Sequence, residues 1–241
     1  MSAIEASVRA FVAGATGYVG REVVAALRVA GVETWAHVRP DSARLAEWQA
    51  RFGALGAAVD TTPWTAEAMS ARLPALAPTH VFALLGTTQA RARAAAARGE
   101  RADYEAVDYG LTMLLLRAAQ AVVPAPRFVY LSAAGVREGT RNPYLAVRAR
   151  VERELAASGM HYIVAQPAFI TGEDREEDRP VERWGARLGD AALAVVARLG
   201  APSLAARWGS ITGGSLARGL VRVALDPGVG TAILTTESLR G

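Results

Sequence analysis

An α/β fold around a parallel sheet is the architecture that the sequence predicts, on two observations. Short apolar runs alternate with longer segments whose apolar residues recur at helical spacing, which is typical of strand–helix–strand units. The chain has 241 residues and is 51% hydrophobic, which is enough to bury one large core. We therefore predict a single domain over residues 1–241 that contains a small substrate or lid region at 171–215.

The elements follow in order along the chain. The predicted strands are 8–13, 33–38, 57–60, 80–85, 127–131, 161–165 and 231–236. The predicted helices are 21–30, 43–52, 67–73, 104–122, 143–158, 181–199 and 215–225. Sheets of this kind bind ligands outside the carboxyl ends of their strands, so we expect functional residues directly after each strand.

A glycine-rich turn follows the first predicted strand and opens the first predicted helix. Its glycines are spaced G-x-x-G-x-x-G, which permits a tight turn and a close approach of the backbone to a pyrophosphate. The helix N-terminus offers free N–H groups and a positive dipole end to that anion. The turn therefore predicts a Rossmann-like dinucleotide site formed by Gly14, Thr16, Gly17, Tyr18, Val19 and Gly20. A tight turn without a ligand is the alternative.

The end of the second strand predicts which dinucleotide binds. An acidic residue there accepts a hydrogen bond from the ribose 2′-hydroxyl of NAD, whereas an arginine favours the 2′-phosphate of NADP. Here Arg39 follows the strand and no acid comes before Asp41, so the sequence favours NADP(H) over NAD(H), with His37 as a possible second donor. A solvated loop arginine is the alternative.

Two further loops are candidates for cofactor contacts. Asp60 ends the third strand, where it can cap the loop at Thr61 and Thr62. Leu85, Gly86 and Thr87 follow the fourth strand, and a glycine beside small residues lets the backbone pass close to a ribose or a phosphate. Turn formation alone also accounts for Gly86.

A serine, a tyrosine and an arginine form the candidate catalytic set. Ser132 follows the fifth strand, Tyr144 comes twelve residues later, and Arg148 lies four residues further on the same predicted helix face. Asn142 and Pro143 fit the cap and first turn of that helix. Packing at a helix start is therefore the alternative role for Tyr144.

Six strings stand in order along roughly residues 8–184: GATGYVGREV, LLGTT, VDYG, YLSAAGV, YLAVRARVERELAASG and QPAFITGEDREEDRP. Together they resemble the Tat-interacting-protein-like, NAD(P)-binding branch of the atypical short-chain dehydrogenase/reductases, a branch related to sugar-nucleotide epimerases. The resemblance implies a Rossmann-like domain that binds NADPH. It implies an adenine contact for Asp60 and a path along the nicotinamide for the segment at Pro167.

The same resemblance implies roles for the catalytic set. Serine orients the substrate carbonyl, tyrosine gives or takes the proton, and a lysine lowers the tyrosine pKa and holds the nicotinamide ribose. This chain departs from the pattern, because Arg148 stands where lysine is expected. All 27 basic residues are arginine, so the substitution reflects either compositional drift or altered catalysis.

Composition excludes several other classes of function. The absence of cysteine rules out disulfides and thiolate chemistry, and no apolar run reaches the roughly 18 residues that a membrane span needs. The arginines are scattered among acids, so we expect no nucleic-acid partner. The three histidines lie far apart in sequence, so we expect no metal. We expect a cytoplasmic monomer or homodimer whose ligands are the dinucleotide and a small substrate.

The sequence supports three hypotheses about function. The first is an NADP(H)-dependent oxidoreductase acting on a carbonyl-type substrate, with Tyr144 as proton donor, Ser132 as orienter and Arg148 as electrostatic support. The second is a non-catalytic NADP(H)-binding regulatory or interaction protein. The third is a nucleotide-sugar epimerase or dehydratase, which is disfavoured by Arg39 and by the short region after Pro167.

Overall fold

The protein is built on a seven-stranded parallel sheet. A computed structural model describes residues 7–87, 97, 99, 103–171 and 210–240. The strands within these ranges are β1 (Arg9–Ala13), β2 (Glu33–His37), β3 (Ala58–Asp60), β4 (His80–Ala83), β5 (Arg127–Leu131), β6 (Tyr162–Gln166), β7 (Phe169–Thr171), β8 (Ser210–Thr212) and β9 (Ala232–Thr235). The sheet order is β3-β2-β1-β4-β5-β6-β9, and β7 pairs with β8 in a separate two-stranded sheet. This order confirms the predicted Rossmann-like fold class.

Helices cover both faces of the large sheet. They are α1 (Tyr18–Val29), α2 (Leu45–Ala54), α3 (Ala66–Leu76), a π-helix (Tyr104–Leu111) that continues into α4 (Thr112–Gln120), α5 (Pro143–Ala157), α6 (Gly213–Leu225) and α7 (Thr236–Arg240). The alternation of β1 explains the two layers. Val12 packs in a cluster with residues of α1, α2 and α6, whereas Phe11 packs in a second cluster with residues of α3, α4 and α5.

Some elements differ from the sequence prediction. Helix α3 does not stop before Pro74 but runs through it to Leu76 and ends at Ala77, whose φ is 45°. Burial of Leu73 and Leu76 offsets the backbone hydrogen bond that proline removes. The pairing of β7 with β8 and the short helix α7 were not predicted. The predicted helix 181–199 and the charged run 173–183 lie outside the described residues.

The strand order decides where a ligand can bind. Strand β1 pairs in parallel with β2 on one side and with β4 on the other, so the order reverses beside β1. A crevice forms at such a point, outside the carboxyl ends of the strands. The segments after β1, β4, β5 and β6 all reach this edge because their strands are parallel.

Candidate functional site

The glycine turn after β1 is shaped by close backbone contacts. Gly14 has a φ of 81°, and a Cβ added to it would lie 2.5 Å from the carbonyl oxygen of Leu84. A Cβ on Gly20 would lie 2.1 Å from the carbonyl oxygen of Gly14. Gly17 N–H donates to the same oxygen at 3.0 Å. Gly14 and Gly20 are therefore required for the turn to pack against β4 and α1.

The start of α1 fits an anionic ligand. Gly17 occupies the N-cap and brings no side chain to cap the helix, and the first turn contains no acidic residue. An uncapped helix N-terminus leaves donors and a positive dipole end for a phosphate group. The residues present therefore fit the pyrophosphate of a nicotinamide dinucleotide, with Thr16 half-buried and Val19 buried beside the turn.

Tyr18 joins the turn to the C-terminal part of the chain. Its hydroxyl donates to the carbonyl oxygen of Thr171 at 3.0 Å and accepts from Gly213 N–H at 3.4 Å. A Cβ on Gly213 would lie 2.5 Å from the ring of Tyr18, so this packing requires glycine there. Thr171 of β7 and Gly213 at the start of α6 thus lie beside the glycine turn, while residues 172–209 lie outside the described residues.

The two basic side chains at the end of β2 differ in accessibility. Arg39 is exposed and lies 3.7 Å from the carboxylate of the equally exposed Asp41. His37 is buried against Trp64, and its Nε2 lies 2.7 Å from the carbonyl oxygen of Thr62. Burial lowers the pKa of His37, although the hydrogen bond to Thr62 opposes the change. A neutral His37 that donates from Nε2 has no second proton to offer a phosphate, so Arg39 is the better phosphate donor.

Asp60 has the capping contacts that the sequence allows. One carboxylate oxygen accepts from Thr62 N–H at 3.0 Å, and the other accepts from Arg72 Nε at 2.6 Å. Burial raises the pKa of Asp60, but the bonds from Arg72 and Thr62 outweigh burial and hold the pKa below its usual value. These residues line a shallow depression with Val59 and Thr61. The adenine contact stays a prediction.

The loop after β4 lies against a buried carboxylate. Thr87 N–H donates to Asp108 Oδ2 at 2.9 Å, and Asp108 is fully buried in the π-helix. A Cβ on Gly86 would lie 3.0 Å from Nη2 of Arg148, so the loop passes closely over this side chain. Leu85 is buried, and Gly86 is exposed beside it. The path of this loop is thus determined by polar groups beneath it.

Arg148 is the centre of a buried polar cluster. Its Nη2 donates to Asp108 Oδ1 at 2.7 Å, and its Nη1 donates to Tyr130 Oη at 3.1 Å and to the carbonyl oxygen of Leu131. The Nε atom is buried and has no hydrogen-bond partner within the described part of the chain.

The charges of this cluster depend on each other. Burial disfavours the charged form of Arg148, but Tyr130, Tyr144 and Asp108 raise its pKa above the usual value, so the guanidinium stays charged. Burial raises the pKa of Asp108, and the ion pair with Arg148 and the bond from Thr87 N–H counter part of that rise. Burial also raises the pKa of Tyr130, against the influence of Arg148.

Tyr144 lies on top of this cluster. The Cζ of Arg148 is 5.0 Å from the centroid of the Tyr144 ring, and the ring of Tyr104 is 5.3 Å away. Asn142 caps α5 by accepting from the N–H groups of Tyr144 and Leu145, which confirms the predicted helix start. The capped first turn thus holds the half-buried Tyr144 ring against the fixed charge of Arg148.

Ser132 belongs to a different group of side chains. Its hydroxyl donates to Glu152 Oε1 at 2.5 Å, and Gln166 Nε2 donates to both oxygens of the same carboxylate at 3.0 Å. The backbone N–H of Ser132 donates to the carbonyl oxygen of Ala165 at 2.8 Å. Pro167, which is buried, comes directly after Gln166, and its carbonyl oxygen accepts from Ala134 N–H. The structure thus joins Tyr144 to Arg148, but it pairs Ser132 with Glu152.

Sequence reasoning missed Asp108, Tyr130, Glu152 and Gln166. A usable signal existed for Glu152, which lies four residues after Arg148 and eight after Tyr144 and so shares their helix face. Asp108 gave no such signal, because its partner is 40 residues away. Among the described residues no group of three or more histidine or acidic side chains could hold a metal, and no helix is long and apolar enough to cross a membrane.

Comparisons with known proteins agree with this geometry. Residues 14–205 match the model of a family described as NAD(P)H-binding. The chain is 32% identical over 174 residues to "Protein fmp52-1, mitochondrial" of Aspergillus terreus, which covers 70% of this chain and 69% of that protein. It is 29% identical to the protein of the same name from Aspergillus oryzae, over 70% of this chain and 68% of that protein.

Solved structures share the fold at low sequence identity. A UDP-glucose 4-epimerase of Thermus thermophilus in complex with NAD superposes with a TM-score of 0.64 at 16% identity, over 97% of this chain and 81% of that one. A Bacillus halodurans protein assigned as an NAD-dependent epimerase/dehydratase superposes with a TM-score of 0.66 at 16% identity, over 97% and 98% of the two chains. These likenesses show that the chain shares the fold of these two proteins.

Proposed function

The chain belongs to the NAD(P)H-binding family, and from that premise we propose that it is an NADP(H)-dependent oxidoreductase acting on a small carbonyl-type substrate. One observation carries the proposal. The phenol ring of Tyr144 lies 5.0 Å above the buried guanidinium of Arg148, at the sheet edge where α1 begins. A proton donor held over a fixed positive charge is the arrangement that carbonyl reduction needs.

In the proposed reaction, the residues of the site have separate roles in carbonyl reduction. When bound, NADPH would supply the hydride, one proton with two electrons, that reduces the carbonyl carbon. Tyr144 donates its phenolic proton to the carbonyl oxygen, which completes the alcohol. The charge of Arg148 stabilises the phenolate that remains, in place of the lysine of related proteins. The uncapped start of α1 would bind the pyrophosphate.

Arg39 supports the choice of NADP(H) over NAD(H). It follows β2, its side chain is 64% exposed, and its contact with Asp41 is a long one at 3.7 Å. A guanidinium so weakly paired can turn to a 2′-phosphate and form two charge-assisted hydrogen bonds with it. Arg39→Ala should weaken NADPH binding by tenfold or more, on the order of 1.5–3 kcal/mol, and leave NADH binding almost unchanged.

Titration of both cofactors into wild-type protein and Arg39→Ala measures this directly. Arg51→Ala is the matched control, because Arg51 is another exposed arginine on the neighbouring helix α2. Equal affinity for NADPH and NADH in wild-type protein, unchanged by Arg39→Ala, would remove the argument for NADP(H).

Turnover is tested with a panel of carbonyl compounds and quinones. Wild-type protein should oxidise NADPH continuously with at least one of them. Tyr144→Phe should reduce the rate by about 10²–10⁴-fold while NADPH still binds. The matched control is Tyr109→Phe, whose ring lies 4.0 Å from the exposed guanidinium of Arg150. NADPH binding without turnover would overturn the proposal.

That contrary outcome would favour a non-catalytic NADP(H)-binding regulator. A specific observation supports this second candidate, since Arg148 is already paired with Asp108 and Ser132 with Glu152. A third activity, epimerisation or dehydration of a nucleotide sugar, would turn over without net oxidation of the cofactor. It is recognised by conversion of the sugar with tightly held NAD.

We also propose that residues 171–215 form the substrate wall of the single domain. Thr171 at the beginning of this region and Gly213 near its end both contact the hydroxyl of Tyr18 beside the glycine turn. A cytoplasmic location and a monomeric or homodimeric state stay predictions. Cell fractionation and light scattering test them, and the fungal relatives named mitochondrial make fractionation the informative measurement.

A further inference from the structure

The single proton of the Ser132 hydroxyl is already committed to another group. Ser132 is 4% exposed, and its Oγ donates to Glu152 Oε1 at 2.5 Å. Gln166 Nε2 donates to both oxygens of that carboxylate at 3.0 Å, so Glu152 acts as an acceptor towards both neighbours. The hydrogen-bonding capacity that remains at Ser132 Oγ is therefore that of an acceptor, through its lone pairs.

The Ser132–Glu152–Gln166 group is held by three different elements. Ser132 directly follows β5, Gln166 ends β6, and Glu152 lies on α5 on the helix face of Tyr144 and Arg148. The bond from Ser132 N–H to the carbonyl oxygen of Ala165 holds the serine backbone against β6. Rotation of the Ser132 hydroxyl would cost a charge-assisted hydrogen bond, so its direction is set by Glu152.

Resting on the function proposed above, we propose that Glu152 is a positioning residue that makes Ser132 a hydrogen-bond acceptor in the substrate site. An acceptor binds the hydroxyl of an alcohol, whereas a carbonyl oxygen has no proton to give it. The site therefore prefers the alcohol member of the substrate pair, and Tyr144 alone donates to the carbonyl. The substrate class that fits is a secondary alcohol or a hydroxylated compound together with its ketone.

Glu152→Gln tests whether Glu152 makes Ser132 a hydrogen-bond acceptor. The amide can donate N–H to Ser132 Oγ, which frees the serine proton to donate to a carbonyl oxygen. We expect KM for the ketone to fall and KM for the alcohol to rise, so that their ratio shifts by roughly tenfold. A purely structural role for Glu152 would change both KM values by the same factor, and that result would overturn the proposal.

Two controls test whether Glu152 acts through the serine. In a Ser132→Ala background, Glu152→Gln should no longer shift the KM ratio, because the group it orients is gone. Glu154→Gln is the matched substitution on the same helix, where the carboxylate faces the Tyr109 hydroxyl at 3.5 Å instead. A shift of the ratio that persists without Ser132, or that Glu154→Gln reproduces, would contradict the inference.

Proton NMR separates this inference from the proposed function. A hydroxyl proton shared with the half-buried carboxylate of Glu152 should resonate downfield in wild-type protein and in Tyr144→Phe, and should disappear in Ser132→Ala. Presence of this resonance without turnover on any substrate would refute the oxidoreductase and still support the orientation of Ser132. Absence of the resonance in wild-type protein would refute the inference, whatever the turnover.

Discussion

Two tyrosine–arginine–carboxylate groups connect α5 to the π-helix, and they differ in burial. In the inner group, Arg148 contacts the Tyr144 ring and pairs with Asp108 at 2.7 Å. In the outer group, Arg150 contacts the Tyr109 ring and pairs with Glu105, also at 2.7 Å. The side chains of the inner pair are 5% and 0% exposed, against 40% and 49% for the outer pair. The two ion pairs therefore have the same length but different energetics, because only the charges of the inner pair are desolvated.

Replacement of each arginine by alanine should give the largest difference in stability between the two groups. Arg148→Ala leaves Asp108 buried without its counterion, so the free energy of unfolding should fall by about 3–5 kcal/mol. Arg150→Ala removes an exposed pair and should cost roughly 0–1 kcal/mol. Urea denaturation of the two variants measures the difference.

A double variant sharpens this result. Arg148→Met combined with Asp108→Leu removes both buried charges and should recover much of the lost stability. Losses of the same size in Arg148→Ala and Arg150→Ala would show that burial does not separate the groups.

Exchange of arginine for lysine tests whether the shape of Arg148 matters as well as its charge. The single ammonium nitrogen of lysine cannot occupy the positions of both Nη1, which donates to Tyr130 and the carbonyl oxygen of Leu131, and Nη2, which donates to Asp108. Arg148→Lys should therefore lower the free energy of unfolding by about 1–3 kcal/mol. Arg150→Lys should change it by less than about 0.5 kcal/mol.

Turnover by the same variant distinguishes the two explanations for the missing lysine. We expect no large gain in NADPH oxidation from Arg148→Lys, because the arginine already keeps a charge beside Tyr144. A large gain would instead show that arginine impairs the chemistry.

High salt should weaken the stabilisation by the outer group only. At about 1 M salt the Debye length is about 3 Å, so the small stability difference between wild-type protein and Arg150→Ala should vanish. The difference between wild-type protein and Arg148→Ala should persist, since solvent ions do not reach a fully buried carboxylate. Denaturation at low and high salt measures both, and an equal salt response in the two variants would count against the comparison.

The smallest expected effect is a pH dependence near neutrality that arises outside both groups. Burial lowers the pKa of His37 and His80 below the usual 6.5. The unfolded chain therefore binds more protons, so stability is full above pH 6.5 and is lost as the pH falls through the lowered pKa. His37→Gln and His80→Gln should each reduce the dependence of the unfolding free energy on pH. A pH dependence that neither substitution changes would refute its assignment to His37 and His80.

The fold could be predicted from sequence because its signals are local. A buried strand, a glycine turn and an amphipathic helix are each specified within about ten residues, as in the segment from Arg9 to Val29. The start of α5 was likewise predictable, because Asn142 and Pro143 are a cap and a first-turn residue. Helix α3 was predicted too short because burial of Leu76 depends on the packed core.

The connections within the site could not be predicted, because they are long-range. Arg148 and Asp108 are 40 residues apart, and Ser132 and Glu152 are 20 apart on different elements. Spacing predicted that Ser132, Tyr144 and Arg148 belong together, but hydrogen bonding divides them into two groups. A single sequence identifies polar residues on one helix face without identifying their partners.

Transfer of deuterium from NADPH labelled at nicotinamide C4 tests the central claim most directly. With an active substrate, wild-type protein and Tyr109→Phe should deliver the label to the carbonyl carbon at similar rates. Tyr144→Phe should bind NADPH equally well and deliver the label about 10²–10⁴-fold more slowly. Equal label transfer by Tyr144→Phe and Tyr109→Phe, or NADPH binding with no label transferred by wild-type protein, would contradict the account.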